Sequence, residues 1–534
     1  KKAGIFIIIA IFLTLSLPYI YNPGLNIDEA DKAITCDIMF KNTLTVPQDV
    51  LAGYHITLFN RFVPTMASPY SGRIHVYLMY IFSRLFGVNV FSLRLSSIVV
   101  SAFTLYFIYL LCKMWFGYRV AAITVLLTAT NLFFVQYARL GYYREVVFIL
   151  FFFWAGFFLI SKYLRERKLY LLCLSFFLFG LGLTTKITML FYLASLAISF
   201  MLLNRKFKLL LGVNIKHASL ALLSFCAGSF YLILFNIREG WMTVKLLLNA
   251  LMRPSPGYNN LAYLYNLRER IKHLMELLGG NISERFEWGV TEGHFMESIA
   301  PVLVALFFIS FIFVFLYMFF LKGKIEKHKI MFFFIFYITV FFLTPFTIGG
   351  SNPGHLLLLL PFPQLVVALS IDYIWMKSKD ERMAFGVASL LLAPFLVFHV
   401  ATNIHFHKEM KRNGGYRRCS TAIYGLTDYL IEKGIYSPVT FGWGLHHNIA
   451  FLSKYKVVPN QLDENYSLEY IEREYRRLSL KNEPIFFLTK GSEDCMPNLN
   501  LFMRLAEKDG RNKEPHKVFY NHAGEPVYWL YKIY

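Results

Sequence analysis

Cysteine, acidic residues and concentrated charge are all scarce in this chain. Its six cysteines are spread over 534 residues with no CxxC pair, which argues against a zinc site and against a dense disulfide framework. Aspartate and glutamate number 33 against 54 lysines and arginines, a formal net charge of +21. No basic stripe or tail collects that excess. The cations sit in short clusters between apolar runs, so a nucleic-acid partner is not indicated. What abounds is apolar surface: 56% of residues are hydrophobic, 18% aromatic, and 55 are phenylalanine. A soluble core could not hide that fraction, and the chain reads as a polytopic α-helical membrane protein.

Apolar stretches of spanning length lie near 4–21, 91–112, 118–136, 146–160, 169–185, 188–203, 218–236, 298–321, 330–347, 356–375 and 384–402, about eleven spans. The first follows Lys1 and Lys2, lacks a small-residue cleavage site, and is expected to be a retained span with its N-terminal flank in the cytoplasm. Segment 73–86 is apolar but short and carries Arg73, His75 and Arg84. Its side of the membrane decides every later loop. Loops 161–168, 204–217, 322–329 and 376–382 hold fifteen basic residues, and the alternating loops 136–145, 184–188 and 348–355 hold three. The richer set belongs inside, so 73–86 is expected to lie flat on the outer surface as an amphipathic helix.

That topology leaves three long outer segments, 22–90, 237–297 and 403–534. Helices are expected over 28–42 and 261–278. The tail alternates helical runs (421–432, 468–478, 499–507) with β runs (439–441, 485–488, 518–520, 527–533), an extracytoplasmic α/β domain over 403–534 set on a membrane domain over 1–402. Cys36, Cys419 and Cys495 would then lie outside, which lets Cys419 and Cys495 share a bridge.

The candidate chemistry gathers at outer ends of spans. Asp28 and Glu29 open a helix, where carboxylates commonly serve as caps. Arg139 and Arg144 occupy an outer turn with Glu145; arginine forks match phosphate oxygens, and snorkelling to headgroups is the competing role. Lys186 ends the fifth span in a hydroxyl-rich turn with no carboxylate near it in sequence, and so needs an anion from elsewhere. His355 opens the tenth span, where a lone histidine is commonly structural. Together these turns would frame a membrane-level pocket with carboxylates to activate a hydroxyl and cations to steady a departing phosphate.

At these residues the chain resembles the GT-C glycosyltransferases of the protein O-mannosyltransferase and aminoarabinose transferase type. The likeness rests on DEA after the first span, FGVNVFSLRLSS entering the second, QYARLGYYRE, GLGLTTK and GHLLLLLPFP, with WGL and FLS in the tail. It implies a membrane enzyme that transfers a sugar from a polyprenyl-phosphate donor to an extracytoplasmic protein, lipid or glycan acceptor, usually with inversion. By position, Asp28 would be the general base with Glu29 beside it, while Lys186, Arg139 or Arg144, Tyr142 and His355 would bind the donor. GYYRE is also similar to the second acidic motif of oligosaccharyltransferases, which implies a divalent cation (Mg or Mn) held by Asp28 and Glu145, with Glu292 or His294. Many relatives of the mannosyltransferase type work without metal. The chain departs from the pattern twice: Asp31-Lys32-Ala33 replaces the aromatic that often follows the acidic pair, and Ala67–Gly72 replaces the Glu-Lys-Pro motif of aminoarabinose transferases. The sugar and acceptor stay open. Competing readings are an oligosaccharide ligase or oligosaccharyltransferase, a lipid-linked-sugar transporter, for which no internal repeat is seen, and a noncatalytic sensor.

Overall fold

The structure is a computed structural model of one chain. It describes residues 3–42, 53–142, 145–207, 214–252, 259–280, 288, 294–320, 324–347, 352–441, 444–462, 466–480, 483–490 and 497–534. Among these, six helices are long and apolar enough to cross a membrane, or eight if each of two bent pairs, Tyr118–Thr130 with Leu132–Arg139 and Ile215–Gly228 with Phe230–Arg238, is one span. Shorter apolar helices Gly4–Ser16, Leu169–Thr185 and Met189–Leu203 stand at the three remaining expected positions, and Ile74–Phe86 occupies the segment expected to lie flat. Their side chains interlock around an aromatic centre in which Phe153 stacks on Tyr192 at 4.0 Å and on Phe336 at 5.3 Å.

The first outer segment builds the platform for the site. Asn26 starts the helix Ile27–Lys41 with a capping box: its side chain accepts from the Asp28 amide at 2.9 Å, while Glu29 accepts from the Asn26 amide at 3.2 Å. The sequence expectation of a helix here holds. It missed the hairpin that follows, Tyr54–Leu58 paired with Arg61–Ser68 and then Ser71–Gly72. The hairpin turns through Phe59 and Asn60, both at positive φ (49° and 55°), a two-residue turn that more commonly reads Asn-Gly.

The far end of this hairpin is stitched to the end of the fifth apolar helix. Ser71 bridges Lys186, and the Ile187 amide donates to the Tyr70 carbonyl at 3.0 Å. A Cβ on Gly72 would lie 2.2 Å from the Thr184 carbonyl oxygen, so glycine permits this approach. The local consequence is that Lys186 is held beside the hairpin that follows helix Ile27–Lys41.

After Leu359 the chain continues as Phe362–Lys377 and then as Glu381–Asn413, which runs past position 403 and stops at Gly414 in a left-handed turn (φ 73°). Beyond it lies a five-stranded sheet ordered Asn460–Gln461, Val439–Thr440, Ile485–Lys490, Pro526–Ile533, Lys513–Tyr520. The first three strands are parallel and the last two pairings antiparallel. Helices Ala422–Glu432, Leu468–Ser479 and Pro497–Lys508 match the expected ones, whereas His446–Leu452 was not anticipated. The expected bridge partner Cys495 lies outside the described residues, as do loop residues 208–213 and 321–323.

Candidate active site

Helix Ile27–Lys41 is fixed from below by one arginine. Arg94, fully buried near the start of helix Val90–Phe116, donates to Glu29 through Nε at 2.9 Å and through Nη2 at 2.7 Å. Its Nη1 also donates to the carbonyls of Ile20 (2.9 Å) and Pro23 (2.8 Å). This bidentate clamp ties the end of the first apolar helix to the start of the platform helix. Glu29, expected beside the general base, is fully buried and engaged at both oxygens.

Asp28, one residue before it, keeps partial exposure, and its carboxylate acts on Lys32. One turn on, Asp31 accepts a fork from Arg73 (2.6 and 2.8 Å). Lys32 reaches Glu145 at 3.0 Å, and Glu145 also accepts from Lys186 at 2.9 Å. The anion that Lys186 needed is therefore Glu145, the last residue of the expected QYARLGYYRE motif. Glu145 holds two ammonium groups, one from the platform helix and one from the turn stitched to the hairpin.

Burial alone would raise the Glu145 carboxyl, but Lys186 and Lys32 outweigh it and hold it well below the usual carboxylate range. Burial would likewise raise Asp31, and Arg73 and Lys32 reverse the sign, leaving it lowered. For Lys32, burial pushes down while Glu145, Asp28 and Asp31 push up more, and the net shift is upward. Lowered carboxylates stabilise the fold above their unfolded values, about 4, and lose that stabilisation as pH falls through the lower folded ones. A raised lysine stabilises below about 10.4 and loses it as pH rises through its folded value. The cluster should therefore contribute a flat term from about pH 5 to 9, with losses only at the two extremes. Melting temperature against pH in detergent checks this: a slope between pH 6 and 8 that disappears in Lys32→Met would show the cluster titrating where it should not.

Residues 73–233 match the family model described as dolichyl-phosphate-mannose-protein mannosyltransferase. Among solved structures, ArnT from Cupriavidus metallidurans bound to undecaprenyl phosphate superposes with a TM-score of 0.56 at 12% identity, over 99% of this chain and 97% of that one. AglB from Archaeoglobus fulgidus, in complex with an inhibitory peptide and a dolichol-phosphate, gives 0.51 at 13% identity over 92% and 69%. The A. fulgidus oligosaccharyltransferase tethered to an acceptor peptide containing the NVT sequon gives 0.54 at 15% over the same shares. The chain shares the fold of these solved structures. No curated protein sequence gives a match.

Within this fold the other expected site residues take different places. Arg139 is buried, and both of its terminal amino groups are occupied: Nη1 lies 2.8 Å from His407 Nδ1, and Nη2 donates to the carbonyls of Tyr19 (2.9 Å) and Asn22 (3.1 Å). It is a joint between helices. Tyr142 is also fully buried, its hydroxyl sharing a hydrogen bond with Ser96 (2.8 Å) and donating to the His75 carbonyl (3.1 Å). His355 belongs to a separate polar cluster with Arg270, whose Nη1 donates to the Asn352 carbonyl at 2.8 Å and whose Nη2 lies 3.4 Å from His355 Nδ1. Arg144 and Glu292 lie outside the described residues, and His294 starts a helix whose first side chains are not described.

The metal implied by the oligosaccharyltransferase likeness does not fit Glu145. Two ammonium groups within 3.0 Å of its oxygens oppose a divalent cation there, and among the described residues no group of three acidic, histidine or cysteine side chains is arranged to hold one.

Sequence reasoning missed Lys32, Asp31 and Arg73 as site residues. The first two were visible as a departure from the family pattern. Arg73 was visible as the charge that kept 73–86 from reading as a span.

Proposed function

We propose that this chain is a membrane glycosyltransferase that moves a sugar from a polyprenyl-phosphate donor to a hydroxyl-bearing acceptor on the extracytoplasmic face. The observation that carries the reading is a lysine pair, Lys32 and Lys186, bridged by Glu145, with the partly exposed carboxylate of Asp28 acting on Lys32. The mannosyltransferase family match over 73–233 and the likeness to carrier-bound GT-C structures support it. The basic loops 161–168, 204–217, 322–329 and 376–382 support an inside assignment for the opposite ends of the spans, with the sheet after Asn413 outside.

In this reading Asp28 accepts the proton of the acceptor hydroxyl as its oxygen attacks the anomeric carbon. The bond from that carbon to the phosphate oxygen breaks, its electron pair stays on the phosphate, and Lys32 and Lys186 steady the charge that develops. Polyprenyl phosphate and the glycosylated acceptor leave, with inversion at the sugar. Glu145 holds the two ammonium groups in place, and Arg73 with Asp31 braces the helix that carries Asp28 and Lys32. Occupation of Glu145 by two lysines favours single-sugar transfer over the metal-assisted oligosaccharyltransferase alternative. The test is to incubate purified protein and membrane extract with radiolabelled undecaprenyl-phosphate mannose, glucose and aminoarabinose. Label moving to protein, lipid or glycan supports the reading and names the acceptor class; absence of transfer from all three, while the protein binds undecaprenyl phosphate, sinks it.

A further inference from the structure

Helix His446–Leu452 of the C-terminal unit lies on the platform helix and is fastened to it at both ends. Asn448 Nδ2 donates to the Leu25 carbonyl at 2.6 Å, and the Tyr455 hydroxyl donates to Asp37 at 2.9 Å. Between these bonds Ala450 packs with Ile34, Ile38 and Phe62, and Phe451 packs against Leu25, Ala30 and Val90. The clamp sets His447 against the charged cluster, where Asp31, His446, Arg73 and Lys32 face it. His447 keeps some exposed surface, but both of its ring nitrogens are enclosed and neither makes a hydrogen bond among the described residues.

Enclosed polar atoms without partners are rare in folded proteins, and one set beside this charged cluster is a candidate for contact with what binds there. Burial pushes the imidazole down to about 4; Asp31 opposes this, and His446, Arg73 and Lys32 add to it. At neutral pH the ring is therefore uncharged, with one nitrogen donating and the other accepting. That pairing suits a hydroxyl, which also donates and accepts, better than a phosphate oxygen, which calls for a cation.

We propose that His447 hydrogen bonds a hydroxyl of the sugar being transferred, so that the C-terminal unit supplies a specificity residue to the membrane-level site. This rests on the glycosyltransferase reading, in which the sugar is joined directly to the phosphate held by Lys32 and Lys186. Lys32 is among the charged groups that act on His447, which sets the imidazole at the same cluster.

The test measures dissociation constants of the full chain in detergent for undecaprenyl phosphate and for undecaprenyl-phosphate mannose, glucose and aminoarabinose. The wild type should bind at least one sugar-bearing probe more tightly than undecaprenyl phosphate. His447→Phe should erase that advantage, a loss of about 5- to 10-fold for one hydrogen bond, and leave undecaprenyl phosphate binding unchanged. His447→Gln, which keeps a donor and an acceptor, should recover part of it. An advantage retained in His447→Phe, an equal loss on all probes, or no sugar advantage in the wild type overturns the proposal. A wild type that binds no probe at all, undecaprenyl phosphate included, overturns the glycosyltransferase reading beneath it.

Discussion

Asp28→Asn should give a folded protein that binds polyprenyl phosphate and transfers almost no sugar. The substitution keeps side-chain size and removes the one capacity the reaction needs, acceptance of a proton as the acceptor oxygen attacks. General-base loss of this kind lowers rate by roughly 10²- to 10⁴-fold. The fold should be spared because the helix start does not depend on the Asp28 carboxylate: Asn26 caps through the Asp28 amide, and the Arg94 clamp acts through Glu29. The measurement is the initial rate of label transfer beside the dissociation constant for undecaprenyl phosphate. A variant that transfers at the wild-type rate would remove Asp28 from the mechanism.

Glu145→Gln should act in the opposite way, weakening the fold and strengthening the grip on carrier phosphate. Glu145 is the shared anion for Lys32 and Lys186, and the three side chains are 8%, 6% and 12% exposed. Removing one partner of so enclosed an ion pair costs roughly 3–5 kcal/mol, because Lys186 loses its carboxylate and Lys32 keeps only the more distant Asp31, at 3.9 Å, and Asp28. The melting temperature of the unliganded protein should fall accordingly. Added undecaprenyl phosphate should then raise it by more than it raises the wild type, since the phosphate supplies the missing anion and no longer competes with a carboxylate. Lys32→Met in the same background should recover part of the unliganded stability and lose the enlarged ligand effect. Equal ligand shifts in Glu145→Gln and wild type would mean that the phosphate binds elsewhere.

The apolar helices, the capped platform helix and most of the C-terminal elements were legible because each announces itself locally, by run length, by periodicity or by a cap. The hairpin over 54–72 was not, since its turn is Phe59-Asn60 rather than a familiar turn pair. Lys186 was legible as a cation short of an anion, and Glu145 as an acid at an outer turn, but their pairing depends on Gly72 letting the hairpin touch Thr184. Glu29 and Arg139 look from sequence much like Asp28 and Lys186. What separates them is tertiary: Arg94 claims Glu29, and the carbonyls of Tyr19 and Asn22 claim Arg139. Arg94 stood in plain view within FGVNVFSLRLSS, yet nothing in that string reveals which acid, some 65 residues upstream, it meets.

The clamp between His446–Leu452 and Ile27–Lys41 means that the sheet-bearing portion is no detachable cap on a self-sufficient enzyme. A chain ending before Ala422 would strip the cover from Ile34 and Ile38 and remove the hydrogen bonds that Asn448 donates to the Leu25 carbonyl and Tyr455 to Asp37, at the very segment that carries Asp28. An alteration at Asn448 or Tyr455 therefore acts on the segment that carries the carboxylate proposed as the general base.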